Sequence, residues 1–178
     1  MEKPRLLKAN EIECRIGTIN EKGLTLLLYK DARCDMNILD ETVGAENWER
    51  DHIELKGNIY CGVSIYDEEK KDWVTKWDAG KESNTEAEKG EASDSFKRAC
   101  VNWGIGRELY TAPFIYISAD SVKIEKNEKG KYYTYDKFQV EAIKYNENRE
   151  IIALSILNKA KKRVFLVKPK EVKNENNK

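Results

Sequence analysis

The sequence predicts an α+β fold in which a three-stranded antiparallel β-meander packs on a long α-helix, and a further β-rich portion follows. Residues 48–77 contain three β-prone segments separated by short turns, which is typical of a meander. Residues 85–103 have apolar residues at helical spacing, and residues 114–168 are again β-prone. Because 178 residues suit one domain, we expect a single domain over residues 1–170 and a short, disordered basic tail over 171–178.

The N-terminal part is predicted to form a β-hairpin followed by a short helix. Residues 11–19 and 24–29 are β-prone, and the segment between them ends in a glycine that suits a turn. Asp31 is a suitable N-cap for the helix, and Gly44 is a typical C-terminal stop. The apolar residues of this helix recur near helical spacing: Met36, Leu39 and Val43.

The middle strand of the meander is predicted from its alternation. Residues 59–66 alternate between apolar and more polar side chains, so the apolar residues share one face: Ile59, Cys61, Val63 and Ile65. Residues 48–56 and 73–77 form the outer strands, because the connections on both sides are too short for a crossover.

The long helix is predicted to start near Thr85, which has capping-box spacing to Glu88, and to end at Gly104. Its core stripe at helical spacing comprises Ala92, Phe96, Ala99, Cys100 and Trp103. Lys97 and Arg98 lie outside this stripe. Two interpretations follow: Arg98 pairs with Asp94 one turn earlier while Lys97 solubilises the surface, or the two cations bind a polyanion.

The C-terminal portion is predicted to be rich in short strands separated by turns near residues 127–130 and 146–148. The β-prone segments are residues 114–117, 122–125, 132–135, 140–145, 151–157 and 163–167. No internal repeat is visible in the chain, which favours one irregular β-rich portion over a repeat architecture.

Composition excludes several classes of protein. The chain has 32 basic and 32 acidic residues, so net charge alone does not favour a nucleic-acid partner, although residues 159–178 are clearly basic. The four cysteines are widely spaced and there is one histidine, which argues against a zinc site or a disulfide scaffold. No apolar run is long enough to span a bilayer and no signal-peptide pattern is present, so we expect a cytoplasmic protein without a membrane partner.

An enzymatic alternative rests on Asp51, Glu54 and Lys56, which contain the E-x-K element of some metal-dependent nucleases. In such sites carboxylates hold Mg²⁺ and a lysine assists the attacking water. Matches of this length are frequent in a highly charged chain, and a half-exposed strand explains them equally well. We therefore expect no enzymatic activity and no cofactor, and keep the nuclease as an alternative.

Three segments together resemble the Rad52 family of single-strand annealing proteins, and the bacteriophage and prophage members of that family most closely. The segments are YKDARCDMNILDETVGAENW (29–48), NIYCGVSIYDEEKKDWVTKWDAG (58–80) and EKGEASDSFKRACVNWGIGRELY (88–110). They occur in the family's order and cover just under half of the chain. The resemblance implies ATP-independent binding of single-stranded DNA and annealing of complementary strands in homologous recombination and repair.

The resemblance also implies which residues bind DNA. A Lys-Arg pair of the family's long helix lines a basic groove, and it corresponds to Lys97 and Arg98. A family arginine in the first helix corresponds to Arg33, or to Cys34 with a shift of one residue. A further helix arginine of the family is replaced by Val101, so Lys30 or Lys76 is expected to compensate.

The partners implied by the resemblance are single-stranded DNA, further copies of the chain in a ring or arc, and a host single-strand binding protein. A phage-encoded member would act in the cytoplasm of its bacterial host. Trp73 and Trp77 are then either stacking platforms for bases or residues of the core or of a subunit interface. A protein of the same fold that binds and protects DNA ends without annealing them stays open as an alternative.

Overall fold

The computed structural model of the chain describes residues 2–80 and 87–169. Two expectations lie outside these residues, namely the capping of the long helix by Thr85 and the disordered basic tail over 171–178. The chain divides into two compact units. The first, called here the helix–meander unit, takes the described residues of Met1–Leu7 and Lys30–Glu108. The second, called the β-sheet unit, takes those of Lys8–Tyr29 and Leu109–Lys178.

The elements follow one another along the chain with short connections. In order they are β1 (Ile12–Asn20), β2 (Gly23–Lys30), α1 (Ala32–Val43), β3 (Trp48–Leu55), β4 (Asn58–Asp67), β5 (Asp72–Ala79), α2 (Ala87–Asn102), β6 (Ile115–Ser118), β7 (Glu125–Lys126), β8 (Tyr132–Tyr133), β9 (Phe138–Tyr145), β10 (Ile151–Asn158) and β11 (Arg163–Val167). Short 3₁₀ helices lie at Ala9–Glu11 and Arg107–Thr111. The α+β class predicted from the sequence is confirmed.

Helix α1 begins and ends where its capping residues predict. The Asp31 side chain accepts a hydrogen bond from the backbone N–H of Arg33 at 2.6 Å, which satisfies one of the free donors of the first turn. Gly44 follows the last turn with φ of 86°, a backbone conformation that glycine adopts without a steric penalty. Ile38 and Leu39 are buried on the inner side of the helix.

The meander is antiparallel, with β4 between β3 and β5. On β4, Cys61, Val63 and Ile65 are buried on the face that packs against α2, as the alternation predicts. The opposite face has Gly62 and Ser64, whose neighbours on β5 are Trp77 and Thr75. This second face is called the outer face of the meander.

Helix α2 packs its predicted stripe on the inner face of the meander. Phe96, Ala99 and Cys100 are buried, and the Phe96 ring stacks with the indole of Trp48 at 6.2 Å between centroids. At the end of the stripe, Trp103 donates a hydrogen bond from its indole nitrogen to the Val63 carbonyl at 2.9 Å. The predicted packing of the meander on this helix is confirmed.

The β-sheet unit is built on a six-stranded sheet with the order β11-β10-β9-β1-β2-β6. The predicted N-terminal hairpin is present, and β1 pairs with β9 while β2 pairs with β6. Strand β11 also lies near β6, so the sheet is almost closed. The hairpin therefore completes the C-terminal β-rich portion, a long-range pairing that local sequence patterns do not contain.

One predicted strand is largely wrong. In the segment 122–125 only Glu125 is in a strand, because β7 is a two-residue ladder with β8. Val122 is buried although it lies outside any strand, so its apolar character reflects packing and not strand pairing. Among the described residues, no helix is long and apolar enough to cross a bilayer.

Candidate nucleic-acid interface

Helix α2 presents Lys97 and Arg98 beside its buried stripe. Phe96 and Ala99 flank the pair in sequence and are buried, whereas Lys97 and Arg98 are half-buried. The helical period explains the difference, because neighbouring residues point about 100° apart. The packing of α2 on the meander thus leaves both cationic groups at the surface of the helix–meander unit.

Arg33 is paired with the Asp31 carboxylate, and the positive charge of Lys97 also acts on that carboxylate. Arg33 donates to Asp31 from its guanidinium, with Nη2 to Oδ2 at 2.9 Å, and its own side chain is 81 % exposed. Hydrogen bonds from Arg33 lower the pKa of Asp31 below its ordinary value, and the positive charge of Lys97 lowers it further. The structure therefore brings the predicted residues of α1 and α2 together. Within the described part of the chain, the Lys97 ammonium forms no ion pair.

Arg98 is held from strand β5. Its Nε lies 3.2 Å from Oδ1 of Asp78, and Asp78 also accepts a longer hydrogen bond from Asn102 at 3.4 Å. The ion pair is partly exposed, so it contributes at most about 1 kcal/mol to stability. Arg98 is therefore oriented by the meander while part of its guanidinium faces solvent.

Lys76 lies on β5 at the C-terminal end of α2. Its ammonium donates to the backbone carbonyl of Asn102 at 3.0 Å and lies 4.2 Å from the centre of the Trp103 ring. Both contacts favour a cation, since the last carbonyls of a helix carry partial negative charge and the ring face attracts positive charge. Lys76 is half-buried and forms no ion pair with another described residue.

Lys30 has a different environment from the other predicted cations. Its side chain is only about 5 % exposed, and its ammonium forms an ion pair with the buried Asp35 carboxylate. It also donates to the Lys97 carbonyl at 3.3 Å. Burial raises the pKa of Asp35 to about 6, and the attraction of Lys30 opposes that rise. Lys30 thus connects α1 to α2 from inside the helix–meander unit, away from the surface on which Lys97 and Arg98 lie.

Arg107 is a cation that the sequence patterns did not single out. Its guanidinium donates to the Val101 carbonyl from Nε at 3.1 Å and from Nη2 at 2.8 Å, and Nη2 also reaches the Asn102 carbonyl at 3.0 Å. A guanidinium therefore lies beside Val101, the position at which the resemblance leads one to expect an arginine. Arg107 lies beyond the end of α2, so no helical spacing predicts that it lies beside Val101 and Asn102, and only the folded chain shows it.

The tryptophans of β5 are on the outer face of the meander, away from α2. Trp73 and Trp77 are 40 % and 43 % exposed, so they are not core residues of the helix–meander unit. The Trp77 indole lies over Gly62, where an added Cβ would approach the ring to 2.7 Å. Trp73 contacts the Tyr66 ring edge-on at 5.6 Å. These contacts leave a partly exposed aromatic surface.

The residues of the nuclease alternative do not converge. Asp51 is opposite Gly62 and Glu54 is opposite Ile59 in the β3–β4 ladder, so their side chains lie on different faces of β3. Lys56 is in the following turn with φ of 54°. Across residues 2–80 and 87–169, no group of three or more histidine, cysteine, aspartate or glutamate side chains is arranged to hold a metal ion.

A β-meander that supports a helix with cations at its surface defines a candidate nucleic-acid-binding protein. Over residues 4–129, the chain matches the family model described as Rad52/22 family double-strand break repair protein. Because the match covers more than half of the chain, the protein belongs to this family, which gives it a role in DNA repair and recombination. No curated protein and no solved structure matches the chain.

Proposed function

We propose that this protein binds single-stranded DNA and anneals complementary strands without ATP, as part of homologous recombination. The observation that carries the proposal is the surface of α2, where Lys97 and Arg98 lie outside the buried stripe while Arg33 lies exposed at the start of α1. Lys97, whose ammonium has no ion pair among the described residues, is available for a phosphate.

The chemistry of these residues suits annealing better than sequence recognition. Lysine and arginine bind phosphates, which are the same in every sequence, and this leaves the base edges free to pair with a second strand. Annealing forms and breaks no covalent bond, so the function proposed here requires neither a catalytic residue nor a cofactor.

We further propose that the chain acts as a homo-oligomeric ring or arc. Within the described residues, β3 and β5 each pair only with β4, so both have a free edge. The outer face between them exposes Ile53, Trp73 and Trp77. Exposed apolar side chains and free strand edges are typical of surfaces that associate with another subunit. Trp73 and Trp77 are accordingly proposed as interface residues.

The resemblance to bacteriophage and prophage members supports the remaining parts of the proposal. They are a phage or prophage origin, action in the cytoplasm of a bacterial host, and contact with the host's single-strand binding protein on DNA that this protein has coated.

The experiment that tests the function is a gel assay with two complementary labelled oligonucleotides, run without ATP and with EDTA. The proposal predicts that duplex forms much faster with protein than without it. Binding of the single strands without faster pairing would instead support the DNA-end-protecting alternative. Cleavage that requires added Mg²⁺ would support the nuclease alternative, and Glu54→Gln would then have to abolish it.

A further inference from the structure

We propose that Lys76 and Arg107 form a second phosphate-binding site for the single strand, located at the C-terminal turn of α2. This inference rests on the proposed binding of single-stranded DNA and adds to it a site separate from Lys97. Arg107 is the new element, because neither the sequence patterns nor the resemblance assigns it a role.

The chain reverses after α2 in a way that returns Arg107 to the end of that helix. Gly104 and Gly106 have φ of 93° and 70°, values that favour glycine, and Arg107 follows directly. Its guanidinium contacts the carbonyls of Val101 and Asn102. The Lys76 ammonium contacts the same Asn102 carbonyl from β5. The ammonium of Lys76 and the guanidinium of Arg107 therefore donate to the same carbonyl oxygen from two different segments of the chain.

The positive charge at this turn exceeds what the helix end neutralises. The C-terminus of a helix is equivalent to about half a negative charge, whereas Lys76 and Arg107 together carry two full positive charges. Neither residue forms an ion pair with a carboxylate in the part of the chain that the structure describes. Unlike Arg33 and Arg98, neither is paired with a carboxylate among the described residues, so both can take an anionic ligand.

The geometry allows one phosphate group to contact both residues. The Lys76 ammonium and Nη2 of Arg107 are each 3.0 Å from the Asn102 oxygen, so the two cationic groups are at most about 6 Å apart, a distance that one phosphate can bridge with two charge-assisted hydrogen bonds. Arg107 is exposed, and its Nη1 makes no hydrogen bond to any described residue. That nitrogen is free to donate to a ligand without disturbing the contacts to α2.

The position of the turn connects this site to the proposed surface of α2. Asn102 follows Arg98 by four residues, just over one helical turn and about 6 Å along the axis. The Asn102 side chain donates to Asp78, which holds Arg98. A strand that contacts Lys97 and Arg98 is thus expected to continue past Lys76 and Arg107, which raises the number of phosphates held by each subunit.

The test is a titration of labelled oligothymidylate against the full chain at several salt concentrations. The variants are Arg107→Gln and Lys76→Gln, which remove the charge and keep a hydrogen-bond donor for the Asn102 carbonyl. Arg107→Lys retains the charge. Lys70→Gln is the matched control, because Lys70 is an exposed lysine in the β4–β5 turn that is paired with Asp67. Thermal unfolding verifies that each variant is folded.

We expect Arg107→Gln and Lys76→Gln each to weaken binding about fivefold and to reduce the log–log salt slope by about 0.7 for each lost phosphate contact. Arg107→Lys and Lys70→Gln should retain the wild-type slope. Wild-type affinity and slope in folded Arg107→Gln and Lys76→Gln would overturn the inference, and loss of binding in a Lys97 variant would show that the proposed function still holds. If the wild-type protein does not bind oligothymidylate, the function and this inference both fail.

Discussion

Replacing Lys30 with methionine should strongly destabilise the helix–meander unit. Methionine preserves most of the volume of lysine but removes the ammonium from a buried ion pair, which leaves the Asp35 carboxylate in the interior. The second oxygen of Asp35 has no hydrogen-bond partner among the described residues even in the wild-type protein. Removal of one member of a buried ion pair costs about 3–5 kcal/mol, so the free energy of unfolding at neutral pH should fall by that amount.

The matched control removes both charges. Lys30→Met combined with Asp35→Leu leaves no uncompensated carboxylate, and such apolar replacements are often close to neutral. We therefore expect the double variant to be more stable than Lys30→Met alone. The change in the free energy of unfolding of the double variant, minus the sum of the changes in the two single variants, gives the coupling energy of the pair.

The loss caused by Lys30→Met should also depend on pH. Burial already raises the pKa of Asp35 to about 6, from an ordinary value of 3.8, and the loss of Lys30 removes an interaction that opposes this rise. The folded state therefore binds a proton at a pH where the unfolded state does not, and lowering the pH stabilises the fold. Because the variant's Asp35 takes up its proton at a higher pH than the wild-type residue does, the destabilisation should shrink as the pH falls from neutral toward about 6 and should change little below that.

Urea unfolding followed by tryptophan fluorescence measures both effects. The reasoning is refuted if Lys30→Met costs less than about 1 kcal/mol at neutral pH, because the residue would then not be one half of a buried pair. A loss that grows as the pH falls would also contradict it, since the sign of the linkage would be reversed.

Three further predictions follow from other parts of the molecule. Phe96→Ala should lower the free energy of unfolding by about 3–5 kcal/mol in urea, because the ring is 1 % exposed and contacts Trp48 and Arg50; a cost below about 1 kcal/mol would contradict the packing described. Burial raises the pKa of Cys61 to about 11 and also raises that of Cys100. A thiol reagent at neutral pH should therefore modify neither residue until the protein unfolds, and rapid modification of the folded protein would contradict their burial. Light scattering in the DNA-binding buffer should show several subunits per particle, and a clean monomer would refute the proposed assembly.

The elements that the sequence predicted well are those defined by local patterns. Alternation along β4 identifies its buried face, and the cap at Asp31 together with Gly44 sets the limits of α1. The sheet order could not be obtained in the same way, because the pairing of β1 with β9 joins segments more than 100 residues apart in the chain. Alternation indicates that a strand has a partner and does not identify that partner.

In the candidate site, too, local patterns predict some features, and others depend on how distant segments pack. The helical period alone places Lys97 and Arg98 outside the core stripe of α2. It does not reveal that Asp78 holds Arg98 or that Lys30 is buried against Asp35, because both facts depend on where other segments pack. Arg107 approaches the end of α2 only through the turn at Gly104 and Gly106.

The measurement that tests the central claim most directly is the binding of single-stranded DNA by the double variant Lys97→Gln/Arg98→Gln. The matched control is Lys70→Gln/Lys71→Gln, an adjacent pair of exposed lysines in the β4–β5 turn. Both double variants lose two positive charges and should remain folded, since none of the four side chains belongs to the core. Any difference between them therefore reflects the position of the charges on α2.

We expect the Lys97→Gln/Arg98→Gln variant to bind at least about tenfold more weakly than the wild-type protein, which corresponds to about 1.4 kcal/mol. Its salt slope should also be smaller, because fewer counterions are released when fewer phosphates are neutralised. The Lys70→Gln/Lys71→Gln control should bind like the wild-type protein. A folded Lys97→Gln/Arg98→Gln variant with wild-type affinity and wild-type salt slope would contradict the assignment of α2 as the DNA-binding surface.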